Sequence, residues 1–171
     1  LMNVKENDEV LVPAFTFVAT ANAIKYCGAI PHFIDIEENH FGVNVNKLDN
    51  YLKEISIKKG NFCFNKKTGR KIKAIMPVHV FGHFMKINEL IKLAKKYNLS
   101  IIEDAAEAIG SYYKNKHAGT FGHIGALSFN GNKTITCGAG GAILTNNKKV
   151  AQKARHLIAT AKIAHPYNYI H

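Results

Sequence analysis

Cysteine is scarce in this chain of 171 residues: only Cys27, Cys63 and Cys137 occur, and they are far apart. An odd number of scattered cysteines predicts neither a disulfide framework nor a zinc site. We therefore expect a reducing compartment, with the cytoplasm as the default. Long hydrophobic runs are also lacking, so we predict no membrane-spanning helix, and the first residues do not have the pattern of a secretory signal peptide.

Acidic residues are few as well: 12 Asp and Glu stand against 23 Lys and Arg, which gives a formal net charge of +11. The excess is almost all lysine, because Arg70 and Arg155 are the only arginines, and it is spread along the chain rather than gathered in an arginine-rich stripe. A solvated lysine surface is the simplest interpretation, and a nucleic-acid-binding module is an alternative. A positive field would also favour an anionic, phosphate-bearing substrate.

Motifs that would indicate a hydrolase or a metal site are missing. The sequence has no H-E-x-x-H, no Cys/His ligand spacing, no P-loop and no nucleophile elbow around a serine. His79 and His83 have i,i+4 spacing, but Phe81 and Gly82 between them disfavour the helix that would bring both onto one metal ion. We therefore expect no metal centre.

Short apolar or β-branched runs alternate with segments of helical periodicity. Most runs lack polar alternation, as expected of strands covered on both faces. This order predicts one α/β domain with a largely parallel or mixed sheet, in which ligands bind beyond the carboxyl ends of the strands. The predicted strands are 9–13, 29–36, 72–80, 99–104, 125–129 and 141–145, and the predicted helices are 17–27, 87–98 and 148–160.

The segment 53–74 is the least regular part, with many Lys, Asn and Gly residues and the turn "NKKTG". It predicts an exposed, hairpin-like insertion. The chain is already entering a strand where it begins, and it stops at "AHPYNYIH" without a capping or turn signal. We therefore expect it to be a piece of a longer protein.

An acidic cluster follows the predicted strand "SIIED", where the small residues Ala105 and Ala106 come directly after Asp104. An acid at a strand end with small neighbours can approach a flat ligand closely. Asp104 could equally cap a helix that begins at Ala105, with Glu107 completing a capping-box-like arrangement. Local spacing does not separate these two interpretations.

Lys133 lies in the loop "NGNK" beyond the predicted strand "GALSF". A lysine held by turn residues beyond a strand end could serve as a Schiff-base nucleophile, and most loop lysines simply face solvent. The following Gly138, Gly140 and Gly141 could let the backbone turn tightly or pass a ligand. Ser128, near the end of the strand, is placed to donate a hydroxyl to an anion.

The segments "VPAFTFVATANAI", "GAIPHFIDI", "PVHVFGH", "IIEDAAEAIGS" and "LSFNGNKTITCGAGGAILT" follow one another in this order. Over nearly the whole chain they resemble the DegT/StrS-type sugar aminotransferases, with E-D-A-A and S-F-x-G-N-K as the most specific parts. The resemblance implies the large domain of a fold-type-I, pyridoxal-phosphate-dependent aminotransferase, with a mixed, mostly parallel sheet flanked by helices. Residues 1–171 would be part of that domain, without its N-terminal start and without the C-terminal small domain.

The resemblance also implies roles for five residues. Lys133 would form the Schiff base with pyridoxal 5'-phosphate and then carry the proton between the substrate and the cofactor. Asp104 would pair with the pyridinium nitrogen, and Glu107 would lie near the 3-hydroxyl. Phe17 would stack on the ring, and Ser128 would bind the phosphate.

The implied reaction is a ping-pong transfer of nitrogen, from a donor that is usually glutamate, to a keto-sugar nucleotide. The family also implies a homodimer. "FNGNK", "NKKTGRKIKA" and "HPYNYIH" are most similar to enzymes that act on nucleotide-linked 4-keto sugars. Those enzymes include the legionaminic-acid and perosamine branches, which feed surface polysaccharides such as lipopolysaccharide.

The chain also departs from the family pattern. The Gly-Thr/Ser phosphate-binding turn of the family lies upstream of residue 1, and "TCGAGG" replaces the more usual glycine-rich sequence after the lysine. A non-catalytic remnant that keeps the fold without completing a site is therefore the alternative to an enzyme.

Overall fold

The structure is a computed structural model that describes residues 1–161, so the segment 165–171 noted above lies outside the described residues. A single large sheet organises this part of the chain, with helices packed against it. In chain order the elements are β1 (Glu9–Pro13), α1 (Val18–Tyr26), β2 (Ile30–Ile34), α2 (Val45–Ile55), β3 (Ser56–Lys59), β4 (Phe62–Asn65), β5 (Lys71–Ile75), α3 (Ile87–Tyr97), β6 (Ser100–Asp104), β7 (Tyr112–Tyr113), β8 (Lys116–His117), β9 (Ile124–Ser128), β10 (Gly141–Leu144) and α4 (Lys148–Ile158), with a 3-10 turn at Val80–Gly82.

The main path of the sheet has the strand order β10-β9-β6-β5-β1-β2. Five of these strands run parallel, and β10 runs antiparallel to β9. The predicted α/β fold with a mixed, mostly parallel sheet is confirmed. Because parallel strands end at the same edge, the segments that follow β1, β5, β6 and β9 are brought together there.

Helices cover both faces of the sheet, as the unbroken apolar strands predict. On one face Leu11 of β1 belongs to a core that includes Leu52 of α2 and Leu90 of α3. On the other face Val10 and Val12 of the same strand pack with Ile24 of α1. No helix in the described part of the chain is long and apolar enough to cross a membrane.

The segment 53–74 contains the predicted hairpin, formed by β3 and β4, but the segment is not a simple surface insertion. It begins inside helix α2 and ends in the central strand β5, with which β4 pairs in antiparallel fashion. The side chains of Asn65 and Thr68 both donate hydrogen bonds to the buried carboxylate of Glu9, at 3.0 and 2.6 Å. The hairpin is therefore anchored to the start of β1.

Candidate functional site

A cleft of about 1130 Å³ lies where the parallel strands end. Its walls come from the segments that follow β1, β5, β6 and β9, as the rule for parallel sheets predicts. All five side chains predicted from the sequence line it, although they come from three separate segments. They are Phe17, Asp104, Glu107, Ser128 and Lys133.

Lys133 has a largely covered side chain in a mostly exposed loop. The surrounding residues 129–140 form turns that are mostly exposed, and the backbone N–H of Lys133 donates to the carbonyl of Asn130 at 3.0 Å. The Lys133 side chain is nevertheless only 14 % exposed, and its Nζ lies 3.5 Å from Oε1 of Glu107. The alternative of a solvent-facing loop lysine therefore does not hold.

Asp104 ends β6 with both carboxylate oxygens engaged. Oδ2 accepts a hydrogen bond of 2.6 Å from the hydroxyl of Thr20, and Oδ1 accepts one of 3.1 Å from the N–H of Ala106. Since the Thr20 hydroxyl donates to Asp104, its oxygen is free to accept from Thr16, whose hydroxyl lies 2.7 Å away. The chain of hydroxyls therefore runs from the cleft wall through Thr20 to the carboxylate.

The helix that Asp104 could have capped, one of the two interpretations of the sequence, does not form. Residues 105–110 are turns, and the N–H of Ala105 donates to the carbonyl of Ala126 on the neighbouring strand β9. The capping box is also absent, because the N–H of Asp104 donates to the carbonyl of Pro77 instead of to Glu107. The carboxylate of Asp104 therefore accepts hydrogen bonds from the N–H of Ala106 in this turn and from the hydroxyl of Thr20, and it lines the cleft.

Glu107 links two parts of the cleft. Its Oε2 accepts a hydrogen bond of 3.1 Å from the N–H of Phe81, and its Oε1 faces the amine of Lys133. Phe81 has the left-handed backbone angles φ 50° and ψ 26°, which are uncommon for an aromatic residue. Sequence reasoning missed both Thr20 and Phe81 as cleft residues, since only tertiary contacts give them their partners.

Phe17 and Ser128 stand at two strand-end positions of the cleft. Phe17 precedes α1, and the residue is 73 % exposed, so a face of its ring is open. Ser128 ends β9, and its oxygen accepts a hydrogen bond of 3.3 Å from the N–H of Asn130. Because the oxygen acts as acceptor there, the hydroxyl hydrogen of Ser128 is available to an anion.

Beside the cleft, the buried carboxylate of Glu103 lies next in sequence to Asp104. Its Oε2 accepts hydrogen bonds from Nε2 of His79 at 2.8 Å and from the N–H of Gly119 at 2.9 Å. Its Oε1 accepts two more, from the N–H groups of Phe121 and Gly122. Burial raises the pKa of Glu103, but these hydrogen bonds and the charge of His79 outweigh burial, so the pKa lies below its ordinary value.

In the structure His79 and His83 do not have the helical arrangement of a metal-binding pair. The Nε2 of His79 is taken by Glu103, and the 3-10 turn between the two histidines replaces the helix that a metal pair would need. No group of three or more metal-ligating side chains occurs within residues 1–161. Since neighbouring strand residues face opposite sides, Glu103 holds the end of β6 from the face opposite Asp104.

Comparison with known proteins agrees with this geometry. The sequence pattern of the DegT/DnrJ/EryC1/StrS aminotransferase family matches residues 1–168. The chain is 42 % identical over 155 residues to a GDP-perosamine synthase of Escherichia coli O157:H7, covering 91 % of this chain and 38 % of that protein.

Solved structures share the fold. A DegT DnrJ EryC1 StrS aminotransferase from Brucella abortus superimposes with a TM-score of 0.87 at 34 % identity, over 99 % of this chain and 43 % of that one. NtdA of Bacillus subtilis, solved with bound cofactor PMP, has a TM-score of 0.79 at 28 % identity, over 99 % of this chain and 35 % of that one. The chain thus spans about two fifths of the length of the relatives it matches. It belongs to the DegT/DnrJ/EryC1/StrS aminotransferase family.

Proposed function

We propose that residues 1–171 are the central part of the large domain of a pyridoxal-phosphate-dependent aminotransferase. The full-length protein would transfer an amino group, from glutamate, to a keto-sugar nucleotide. One observation carries the proposal: the covered amine of Lys133, from the loop after β9, and the carboxylates of Asp104 and Glu107, from the end of β6, line one cleft. In the full-length protein, the N-terminal start of the large domain and a C-terminal small domain would accompany residues 1–171.

The residues present fit pyridoxal phosphate. Asp104 accepts one hydrogen bond at each carboxylate oxygen, and an ionised carboxylate has further lone pairs that can accept the ring N–H. The exposed ring of Phe17 offers a flat apolar face, and Ser128 offers a hydroxyl to the phosphate. When bound, the cofactor supplies the carbonyl group that links to an amine and a ring that stores the electron pair released at the substrate carbon.

Each residue then has a definite task. Lys133 would hold the cofactor covalently and, once released, move a proton at its Nζ to and from the substrate carbon. Asp104 would keep the proton on the ring nitrogen, with Thr20 fixing the orientation of its carboxylate. Glu107, whose Oε1 faces Lys133, would orient the 3-hydroxyl of the cofactor.

The substrate class rests on the relatives and on charge. The E. coli relative is a GDP-perosamine synthase, and a net charge of +11 would attract the nucleoside diphosphate group of a nucleotide sugar. We infer a nucleotide-linked 4-keto sugar of the perosamine or legionaminic-acid type, made for a surface polysaccharide such as lipopolysaccharide. We further infer a cytoplasmic homodimer, in which the partner subunit helps to close the cleft.

The test is an amino-transfer assay of the full-length protein with pyridoxal phosphate, glutamate and a panel of keto-sugar nucleotides. We expect formation of 2-oxoglutarate together with an amino sugar for at least one 4-keto substrate. Visible absorbance from covalently held cofactor, without transfer to any sugar in the panel, would contradict the substrate class. Absence of that absorbance would favour the alternative of a non-catalytic remnant. A nucleic-acid-binding module would instead give salt-dependent retention on DNA or RNA.

The contact between Thr20 and Asp104 gives a prediction about cofactor affinity. Thr20→Val keeps the shape of a buried side chain but removes the hydroxyl that donates to Oδ2 at 2.6 Å. Because hydrogen bonds to a charged group are among the stronger ones, we expect the Kd for pyridoxal phosphate to rise about tenfold. A titration of the full-length apoprotein, followed by absorbance, measures the change.

Two variants accompany this titration. Thr20→Ser retains the hydroxyl and should bind within about twofold of the wild type. Thr145→Val removes a hydroxyl that donates to the carbonyl of His123 outside the cleft, and it should leave the Kd unchanged. Wild-type affinity in Thr20→Val would show that Asp104 does not depend on this hydrogen bond.

A further inference from the structure

Phe81 is a large apolar side chain that the fold leaves open to the cleft. The residue is 66 % exposed and lines the same cavity as Lys133 and Glu107. The neighbouring Val80, in contrast, is buried in the core. An aromatic ring placed at the cleft with most of its surface uncovered can bury that surface against a ligand, another chain or the rest of the full-length protein.

The backbone at Phe81 is strained and firmly held. Its φ of 50° lies in the left-handed region, where glycine costs least. The next residue, Gly82, has a φ of 80°, and a Cβ there would come within 3.0 Å of Oγ of Ser111 and 3.1 Å of the carbonyl oxygen of Glu107. The turn is therefore packed against the segment 107–111. Retaining phenylalanine where glycine would be more stable indicates a use for the ring.

The turn lies close to the reacting amine. The N–H of Phe81 bonds to Oε2 of Glu107 at 3.1 Å, and Oε1 of the same carboxylate is 3.5 Å from Nζ of Lys133. The carboxylate of Glu107 thus lies between the backbone N–H of Phe81 and the amine of Lys133 and contacts both. A substrate group near Phe81 is therefore also near the carbon that receives the nitrogen.

We propose that Phe81 packs its ring against the sugar ring of the keto-sugar nucleotide and so contributes to substrate binding. The inference rests on the proposed function. The carbon that is aminated belongs to the sugar ring, so the sugar has to lie beside Lys133, while the base and the diphosphate extend away from it. Pyranose rings present an apolar C–H face, which an aromatic face complements.

The experiment uses the full-length enzyme and measures its two half-reactions separately. One is the reaction with glutamate, and the other is the reaction of the aminated enzyme with the keto-sugar nucleotide. Phe81→Ala should raise the KM for the sugar nucleotide about five- to tenfold, the amount expected for loss of an aromatic contact. The KM for glutamate should stay at the wild-type value, so the ratio of the two KM values should change. Phe33→Ala, which removes an exposed aromatic on β2 outside the cleft, should leave this ratio at the wild-type value.

A second variant separates a binding role from a structural one. Phe81→Gly relieves the left-handed strain, so its Tm should rise by about 1–2 °C while the KM for the sugar nucleotide rises as in Phe81→Ala. A lower Tm in Phe81→Gly with an unchanged KM would overturn the proposal, because the ring would then serve the fold. Dissociation of the oligomer in Phe81→Ala would also overturn it, because the ring would then face another chain.

Inhibition by the free nucleoside diphosphate decides which part of the substrate the ring contacts. The inhibition constant of the nucleoside diphosphate should be the same for Phe81→Ala and the wild type, because this inhibitor lacks the keto sugar of the substrate. A parallel weakening of this inhibition would place Phe81 at the base and overturn the assignment to the sugar. Failure of the wild type in the glutamate half-reaction would instead refute the proposed function, so the two failures are distinguishable.

Discussion

Replacing Lys133 with alanine in the full-length protein is expected to slow amino transfer by about 10⁴-fold or more. The reason is that the Nζ of this residue would both hold the cofactor and move the proton, and no water can replace a covalent attachment. The same variant should lose the visible absorbance of covalently held cofactor. Borohydride reduction of the wild type, followed by peptide mapping, should place the cofactor on Lys133 and leave it unattached in the variant.

Two further lysine variants make this result specific. Lys133→Arg keeps the positive charge that faces Glu107 at 3.5 Å, but a guanidinium is always protonated and does not add to a carbonyl. It should therefore fold normally and be as inactive as the alanine variant. Lys67→Ala, in the exposed turn between β4 and β5, should retain wild-type activity. Covalent cofactor on a lysine other than Lys133 would show that the catalytic assignment is wrong.

Most of the sheet was predictable because its main strands contain short apolar or β-branched runs, and the central strand β1 is buried at all five positions. Helix α2 was not predicted, although its buried residues Val45, Leu48, Leu52 and Ile55 have helical spacing. The residues between them include Asn46, Asp49 and Asn50, which have low helix propensity, so the local signal is weak. Packing against the core supplies the stability that the local sequence lacks.

The candidate site likewise has residues that the sequence indicated and contacts that only the folded structure shows. Lys133 and Asp104 could be named as candidates from the sequence because both lie at strand ends in motifs that resemble those of the family. The hydrogen bond from Thr20 to Asp104 joins residues that are 84 positions apart, and the contact of Phe81 with Glu107 spans 26 positions. Such contacts depend on strand order, which short-range periodicity does not specify. The alternative of a helix cap at Asp104 is wrong for the same reason, because the N–H of Ala105 donates to the neighbouring strand β9.

Replacing Glu103 with alanine is expected to lower the free energy of unfolding by about 4 kcal/mol at neutral pH. The carboxylate is fully buried and accepts four hydrogen bonds, from His79 and from the N–H groups of Gly119, Phe121 and Gly122. Its removal leaves two buried and two partly buried donors without their acceptor, and each lost partner carries a desolvation cost. Urea unfolding of the full-length protein measures the effect. Glu38→Ala, at an exposed turn, should change it by less than about 0.5 kcal/mol.

The pH dependence of this difference tests whether the charge of Glu103 causes it. Hydrogen bonds hold the pKa of Glu103 in the folded protein below the ordinary value of 4.5, in spite of burial. A depressed folded pKa contributes stability that is fully present above the unfolded pKa and is lost as the pH falls through the folded pKa. The stability difference between wild type and Glu103→Ala should therefore be constant near neutral pH and shrink below pH 4.5.

Glu103→Gln separates charge from shape, because its amide has the same size but presents an NH2 donor in place of one of the two accepting carboxylate oxygens. We expect it to be less stable than the wild type at neutral pH, with a difference that also shrinks in acid. A difference between wild type and Glu103→Ala that stays constant from neutral pH to well below pH 4.5 would contradict the ionised state. In that case packing alone, and not the charge held by His79 and the three backbone N–H groups, would secure the end of β6 beside Asp104.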